Sequence, residues 1–130
     1  MADCPFCDYA ALAQQSAEKR TTTVVRGRQV TVDPSGVMCF EPINAVTPGH
    51  MLFVHVDHIE HSDEHANGYV GLLMSVAHAY AHRVAHAAGF NLIVNAGEAA
   101  TQTIDHLHVH YVPRRRGDGL TLPWTGQATS

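Results

Sequence analysis

Between residues 62 and 88, apolar side chains recur at intervals of three, four and seven: Tyr69, Leu72, Leu73, Val76, Tyr80, Val84 and Ala87. That spacing gathers them on one face of a long α-helix, and Gly89 fits its end. Elsewhere the periodicity is shorter. Two β-rich runs in "RQVTVDPSGVMCFEPI" flank Asp33-Pro34-Ser35-Gly36, turn-forming residues that predict an antiparallel hairpin. "NAVTPGH" (44–50) is a loop broken by Pro48 and Gly49, and "MLFVHV" after it is a strand. "FNLIVN" (90–95) is another strand, "AGEAATQT" a polar loop, and "HLHVHYV" a last strand that Pro113 stops. "DYAALAQQSAEKR" (8–20) is rich in good helix formers and predicts a short helix. Helix, hairpin, strand, long helix, strand, strand is the order of an α+β domain: an antiparallel, about five-stranded sheet with helices segregated onto one face.

Composition narrows the class. A chain of 130 residues, 45% hydrophobic and 15% charged, suits one globular domain over 1–130, with an irregular tail from about 115. The net charge of −4 speaks against a nucleic-acid-binding surface. The basic run Arg114 to Arg116 is short enough to be a solvated loop. No run of about 18 apolar residues is present to span a membrane, and "MADCPFCDYA" lacks the apolar stretch of a secretory signal. Three cysteines, Cys4, Cys7 and Cys39, without an export signal favour a reducing, cytoplasmic setting, where close cysteines bind metal or do redox work. A redox Cys-x-x-Cys needs a strand ahead of it, and Cys4 has only three residues before it. Cys39 is most simply a small core residue.

Eleven histidines stand out. His106, His108 and His110 alternate with Leu107, Val109 and Tyr111. On a strand the two sets point to opposite faces, same-face Cα atoms being about 6.5–7 Å apart. The apolar set can enter a core while three imidazoles line a surface. Two chemistries suit such a row: a metal centre, or covalent catalysis in which one imidazole attacks and its neighbours stabilise charge. A hydrolytic zinc site built on a His-x-His pair would usually have an Asp close downstream, and the first later acid is Asp118. His78, His82 and His86 fall four apart on the long helix and form a largely exposed stripe; His61 and His65 are assigned to solvent as well.

"HLHVHYV", with apolar residues between and after its histidines, resembles the signature of the histidine-triad nucleotide hydrolases and transferases. "NAGEAATQTIDHLHVHYVPR" is similar to that family's Asn-x-Gly…Gln-Ser/Thr loop before the triad, and "FEPINAVTPGHMLFVHVDHIE" resembles its Pro-Gly-His and His-Ile-Glu segment. "CPFC" resembles the zinc-carrying bacterial and archaeal branch. The resemblance covers residues 4 to about 116. It implies His108 as the nucleophile toward the α-phosphate of a nucleoside monophosphate derivative, with a covalent nucleotidyl-histidine intermediate. His110 and His50 would contact phosphate, Gln102 and Thr103 would donate to phosphate oxygens and the leaving group, and Asn95 would touch phosphate or ribose. It further implies a structural zinc ion on Cys4, Cys7, His58 and His106, a purine nucleotide or nucleotide conjugate as substrate, and a homodimer. Trp124 resembles a tryptophan that in some relatives reaches the partner subunit's site.

Four positions depart from the family pattern. Pro42 replaces a ribose-binding Asp, leaving Glu41 or Asn44 as substitutes. Thr101 replaces a common glycine, so any positive φ there would be costly. Asp105 stands where an apolar or aromatic residue is usual, and His55 replaces a proline. The leading expectation is a nucleotidyl hydrolase or transferase, of phosphoramidate type rather than dinucleotide type. The alternatives are a nucleotide-binding regulatory protein with little turnover, and a zinc-dependent hydrolase that uses the triad as ligands.

Overall fold

Two residues, Arg26 and Gly27, turn the chain between β1 (Thr21–Val25) and β2 (Arg28–Val32), both with positive φ (53° and 77°). Such a turn matches the twist of paired strands, and Val25 pairs with Arg28 across it. β3 (Val37–Phe40) follows through the expected Asp33–Gly36 turn, where the Asp33 carboxylate accepts from Ser35 and from the Val37 N–H. β4 (Met51–His55), β5 (Phe90–Ile93) and β6 (His108–Pro113) complete a fully antiparallel sheet in the order β1-β2-β3-β4-β6-β5. The computed structural model describes residues 4–125, so the end of the expected irregular tail lies outside the described residues.

The sheet has six strands rather than five. β1 is the addition: "TTTVV" is β-branched throughout, but its Arg-Gly turn lacks the Asn or Asp that usually marks a two-residue hairpin. The first helix, α1, spans Pro5–Leu12 rather than 8–20. Pro5 is preorganised for a helix start, and the Cys4 Sγ accepts the Cys7 N–H at 3.3 Å. Past Leu12 the sequence "AQQSAEKR" offers no apolar face to bury, and a short helix is not held by propensity alone.

The long helix, α2, spans Ala66–Arg83, shorter at both ends than its pattern predicts. It ends not at Gly89 but where His86 turns left-handed (φ +50°) and the Ala87 N–H returns to the Ala81 carbonyl at 2.8 Å. Its fully buried seam is Ala66, Leu73, Ala77 and Ala81, while the expected face residue Val84 is 48% exposed. Two alanines at the seam let the helix backbone approach the sheet closely, so larger neighbours such as Tyr80 and Val76 pack along its flanks.

Two cores result. Val37, Phe53, Leu107, Val109 and Tyr111 pack beneath α2. Val25, Val30, Val32, Met38, Phe40, Leu52 and Val54 form the second on the opposite face, where Phe6 of α1 joins them. The histidine side chains share that second face, since Val54 pairs with His108 and Leu52 with His110. Among the described residues no helix is long and apolar enough to cross a membrane. Substituting Ala77→Leu overfills the seam and should lower stability by about 1–3 kcal/mol, read as a shift of the urea midpoint at unchanged slope.

Candidate active site and metal centre

The ladder of β6 starts at His108, two residues later than the alternation predicts, because the Leu107 N–H goes to the Ile59 carbonyl (2.7 Å) instead of to a strand. The alternation itself holds. Leu107, Val109 and Tyr111 are buried in the core under α2, and His106 and His108 are buried on the other face, His110 partly so. The bond to Ile59 also draws the segment carrying His58 against the start of the triad.

His106 donates from Nε2 to the His55 carbonyl at 2.8 Å. Its Nδ1 therefore carries the lone pair, and this atom lies 3.4 Å from the Cys4 Sγ and 3.5 Å from the Cys7 Sγ. The His58 Nδ1 lies 3.1 Å from the Cys7 Sγ, and its Nε2 lies 3.4 Å from a Glu60 carboxylate oxygen. All four ligand atoms fall within 4.8 Å of one another. Tetrahedral zinc with bonds of about 2.0–2.3 Å sets its ligands about 3.3–3.8 Å apart, so the donor set fits such an ion. A hydrogen-bonded carbonyl on one imidazole and a nearby carboxylate beside the other are the kind of outer partners that orient metal-binding histidines. Burial holds His106 neutral, down to about 4, which is the ligand form. Burial, and next the adjacent Cys4, push the Cys7 thiol up to about 11; a divalent cation among these ligands would reverse that order. Four protein atoms make up this donor set, enough to complete a tetrahedron, and neither His108 nor His110 is among them.

His108 donates from Nδ1 to the His106 carbonyl at 2.7 Å, so its Nε2 bears a free lone pair. The neighbouring rings are fixed by a backbone donor. The Val46 N–H donates to the His50 Nδ1 (3.1 Å), so the neutral His50 donates from Nε2 to the His110 Nδ1 (3.0 Å). His110 in turn presents an N–H at Nε2. Its ring centre is 5.1 Å from that of His108. A nucleophilic lone pair and a hydrogen-bond donor thus stand side by side. Phe6 closes the other flank of His108, with ring centres 5.2 Å apart. Burial lowers the basicity of all three rings, most for His110, which is held down to about 4 by burial first and then by His108 and His50.

The loop before the triad is built by Gln102. Its Oε1 accepts the Gly97 N–H at 2.8 Å and its Nε2 donates to the Ile104 carbonyl at 2.9 Å, leaving one Nε2 hydrogen for a ligand. Thr101 adopts φ +66°, the left-handed conformation a glycine would take freely. The loop therefore keeps that shape and carries the strain. Thr103 is exposed and Asn95 half-buried, and neither hydrogen-bonds to the histidines among the described residues. Glu41 and Asn44 both lie exposed beside the half-buried Pro42. His55 is tied down, Nε2 donating to the Ser35 carbonyl and Nδ1 accepting the Asp57 N–H. Gly36 packs on that ring, and a Cβ there would come within 2.9 Å of Nε2.

Two other expectations need restating, for Arg114 and His61, while Cys39 is the small core residue expected. Arg114 is not a solvated residue: it holds Asp118 through two hydrogen bonds, Asn91 Oδ1 at 2.8 Å and the Leu120 carbonyl, while Arg115 reaches Thr47. His61 is half-buried, its Nε2 shut off from solvent without a partner. Only burial, which periodicity cannot report for a loop, distinguishes it from exposed His65. Cys39 packs against the core under α2, and burial pushes its thiol up to about 12. A cavity of about 470 Å³ lies there, between β3, β4 and α2, on the face of the sheet away from the histidines. The histidine face, not the larger hollow, carries the reactive geometry.

A family model described as "HIT domain" matches residues 24–117. The chain belongs to the HIT family. It is 35% identical over 97 residues to "Protein hit" of Bacillus subtilis (strain 168), covering 71% of this chain and 66% of that one. It is 33% identical over 86 residues to "Adenylylsulfatase HINT3" of Arabidopsis thaliana, covering 64% and 44%. This HIT chain thus spans less than two thirds of either relative. A zinc-bound histidine triad family protein from Mycobacterium smegmatis superimposes with a TM-score of 0.63 at 28% identity, covering 92% of this chain and 80% of that one.

Thr101→Gly relieves a left-handed β-branched residue worth about 1–2 kcal/mol, offset in part by glycine's added freedom when unfolded, about 0.5–1 kcal/mol; a gain of up to about 1 kcal/mol is expected in chemical denaturation. The lowered basicity of His110 stabilises the fold above its ordinary pKa of 6.5, and that contribution disappears as pH falls through about 4. Denaturation midpoints between pH 7 and 4 should fall more steeply for the wild type than for His110→Gln.

Proposed function

We propose that the protein is a nucleotidyl hydrolase or transferase that attacks the α-phosphorus of a nucleoside monophosphate derivative through His108. The observation that carries this reading is the hydrogen bond from the His108 Nδ1 to the His106 carbonyl, which reserves Nε2 for attack. Neutral imidazole is the nucleophile available near pH 7, and the phosphorus-bound ring leaves readily once water or another acceptor arrives. The His110 Nε2–H, aligned through His50 and Val46, would meet a phosphate oxygen where negative charge grows. Gln102 would add its remaining N–H, Thr103 its hydroxyl, and Asn95 a contact to phosphate or ribose. The substrate is a purine nucleotide conjugate, of phosphoramidate rather than dinucleotide type, and the working form is a cytoplasmic homodimer without nucleic-acid or membrane partners.

Zinc would bind Cys4, Cys7, His58 and His106 and would supply no chemistry at phosphorus. It would clamp α1 to the strand that carries the nucleophile, and with it Phe6 against His108. This closed donor set favours a structural ion over the alternative in which the triad ligates a hydrolytic metal. The regulatory reading, with binding but little turnover, loses one of its motives. Thr101 adopts the left-handed conformation despite its side chain.

The test is a rapid-quench reaction with adenosine 5′-phosphoramidate labelled at phosphorus. Wild type should carry an acid-labile protein-bound label and His108→Ala none. Cys7→Ser should lose the metal and melt at a lower temperature, yet still form the adduct in its folded fraction. Nucleotide binding by the wild type with neither adduct nor released AMP would favour the regulatory reading, and loss of the adduct with the metal would favour the metal hydrolase.

A further inference from the structure

A second cavity, about 220 Å³, opens between the segment after His58 and the loop before the triad, lined by Glu60, His61, Ser62, Gly97, Gln102 and Asp105. Given the mechanism proposed above, on which this inference rests, we propose that this cleft receives the leaving group and selects one bearing a positive charge, with His61 as a specificity-determining residue.

Position argues first. Gly97 and Gln102 belong to the loop that frames the phosphate side of the site, and Asp105 directly precedes His106. Gln102, whose remaining Nε2 hydrogen is assigned above to phosphate, lines this cleft as well. Size argues next. Pockets for drug-sized ligands run to about 300–1,000 Å³, so this cleft suits a small amine and is cramped for a second nucleotide.

The decisive features are one orphan and two charges. The His61 Nε2 is closed to solvent and has no hydrogen-bond partner among the described residues. A buried polar atom left so costs about 1–3 kcal/mol, which a polar group entering the cleft would recover. Glu60 and Asp105 contribute two carboxylates, while no Lys or Arg lines the cavity. Next to a phosphate these carboxylates repel the substrate unless its leaving group brings compensating charge. Sulfate, acyl phosphate or polyphosphate would add to the repulsion; a side-chain ammonium would offset it. Asp105 is one of this chain's own departures, an acid where the family pattern has an apolar residue. Glu60 also faces the metal ligand His58 at 3.4 Å, so Asp105, which is exposed and holds no such partner among the described residues, is the cleaner position to vary.

The experiment compares three adenosine 5′-phosphoramidates of equal length, whose nitrogen carries a 3-ammoniopropyl, a propyl or a 2-carboxyethyl group. For the metal-loaded full chain, kcat/KM of AMP release should favour the cationic over the anionic compound by about five- to tenfold, as expected for two partly exposed charge pairs. Asp105→Asn should bring that ratio down by about half or more while turnover of the unsubstituted phosphoramidate stays within about twofold, and Glu60→Gln with Asp105→Asn should bring the ratio near one. His61→Phe should weaken all three substituted compounds alike. The same ratio of dissociation constants, measured on the inactive His108→Ala protein, decides the cleft independently of catalysis. If no compound forms an adduct on wild type, the His108 mechanism fails on its own account. A cationic-to-anionic affinity ratio near one, or one that survives both carboxylate substitutions, overturns the cleft assignment.

Discussion

An imidazole has one N–H and one lone pair, and in this protein two backbone carbonyls decide which nitrogen carries which. The His55 carbonyl takes the Nε2–H of His106 and turns its Nδ1 toward the cysteines; the His106 carbonyl takes the Nδ1–H of His108 and frees its Nε2. Adjacent members of one row thus face opposite tasks with opposite tautomers. The arrangement needs no charge. It works because both acceptors are backbone carbonyls, one at the end of β4 and one two residues ahead of β6, in segments that the sheet and the Leu107–Ile59 bond hold in place. A third ring, His110, takes its orientation from a separate line that starts at the Val46 N–H and passes through His50. The two lines meet at His108 and His110, whose ring centres lie 5.1 Å apart on one side of the sheet.

Period-two alternation made β6 and its two faces legible in the sequence, because Leu107, Val109 and Tyr111 are as regular as the histidines between them. The Asp33–Gly36 turn was legible for the same local reason. That Cys4, Cys7, His58 and His106 come together was legible through the resemblance of separate motifs to the family pattern, which ties residues far apart in the chain. What could not be read depended on tertiary packing or on turns with unusual residues. β1 escaped because Arg26, rather than Asn or Asp, opens its turn. The helix seam was misplaced because Ala77 and Ala81 earn their positions by smallness, whereas the pattern rewards large apolar side chains. His61 and Arg114 looked like surface residues until the folding of other segments around them supplied burial or partners. Gln102 was expected to donate to phosphate, and its second task, bridging Gly97 and Ile104 within the loop with one acceptor and one donor, was not legible.

The departures from the family pattern differ in kind. Thr101 preserves the backbone shape at an energetic cost. His55 makes contacts of its own, bridging the Asp33–Gly36 turn and Asp57. Asp105 changes the charge of a cleft without being needed for the fold. A substitution of the first kind is felt in stability, one of the second in local order, and one of the third in which molecules are accepted.

The position of β6 bears on how the chain is made. It is the last strand in chain order among the described residues, yet it lies inside the sheet between β4 and β5. Until it emerges, β4 has a bare edge, β5 has no strand to pair with, and the two cysteines wait for an imidazole 102 residues downstream of Cys4. A nascent chain therefore exposes an unpaired strand edge and two free thiols for most of its synthesis, the kind of surface on which chains associate wrongly. Insertion of one strand then closes the sheet and sets His108 beside His110. A product cut off just before β6 would keep Cys4, Cys7, His58 and His106 but neither His108 nor His110.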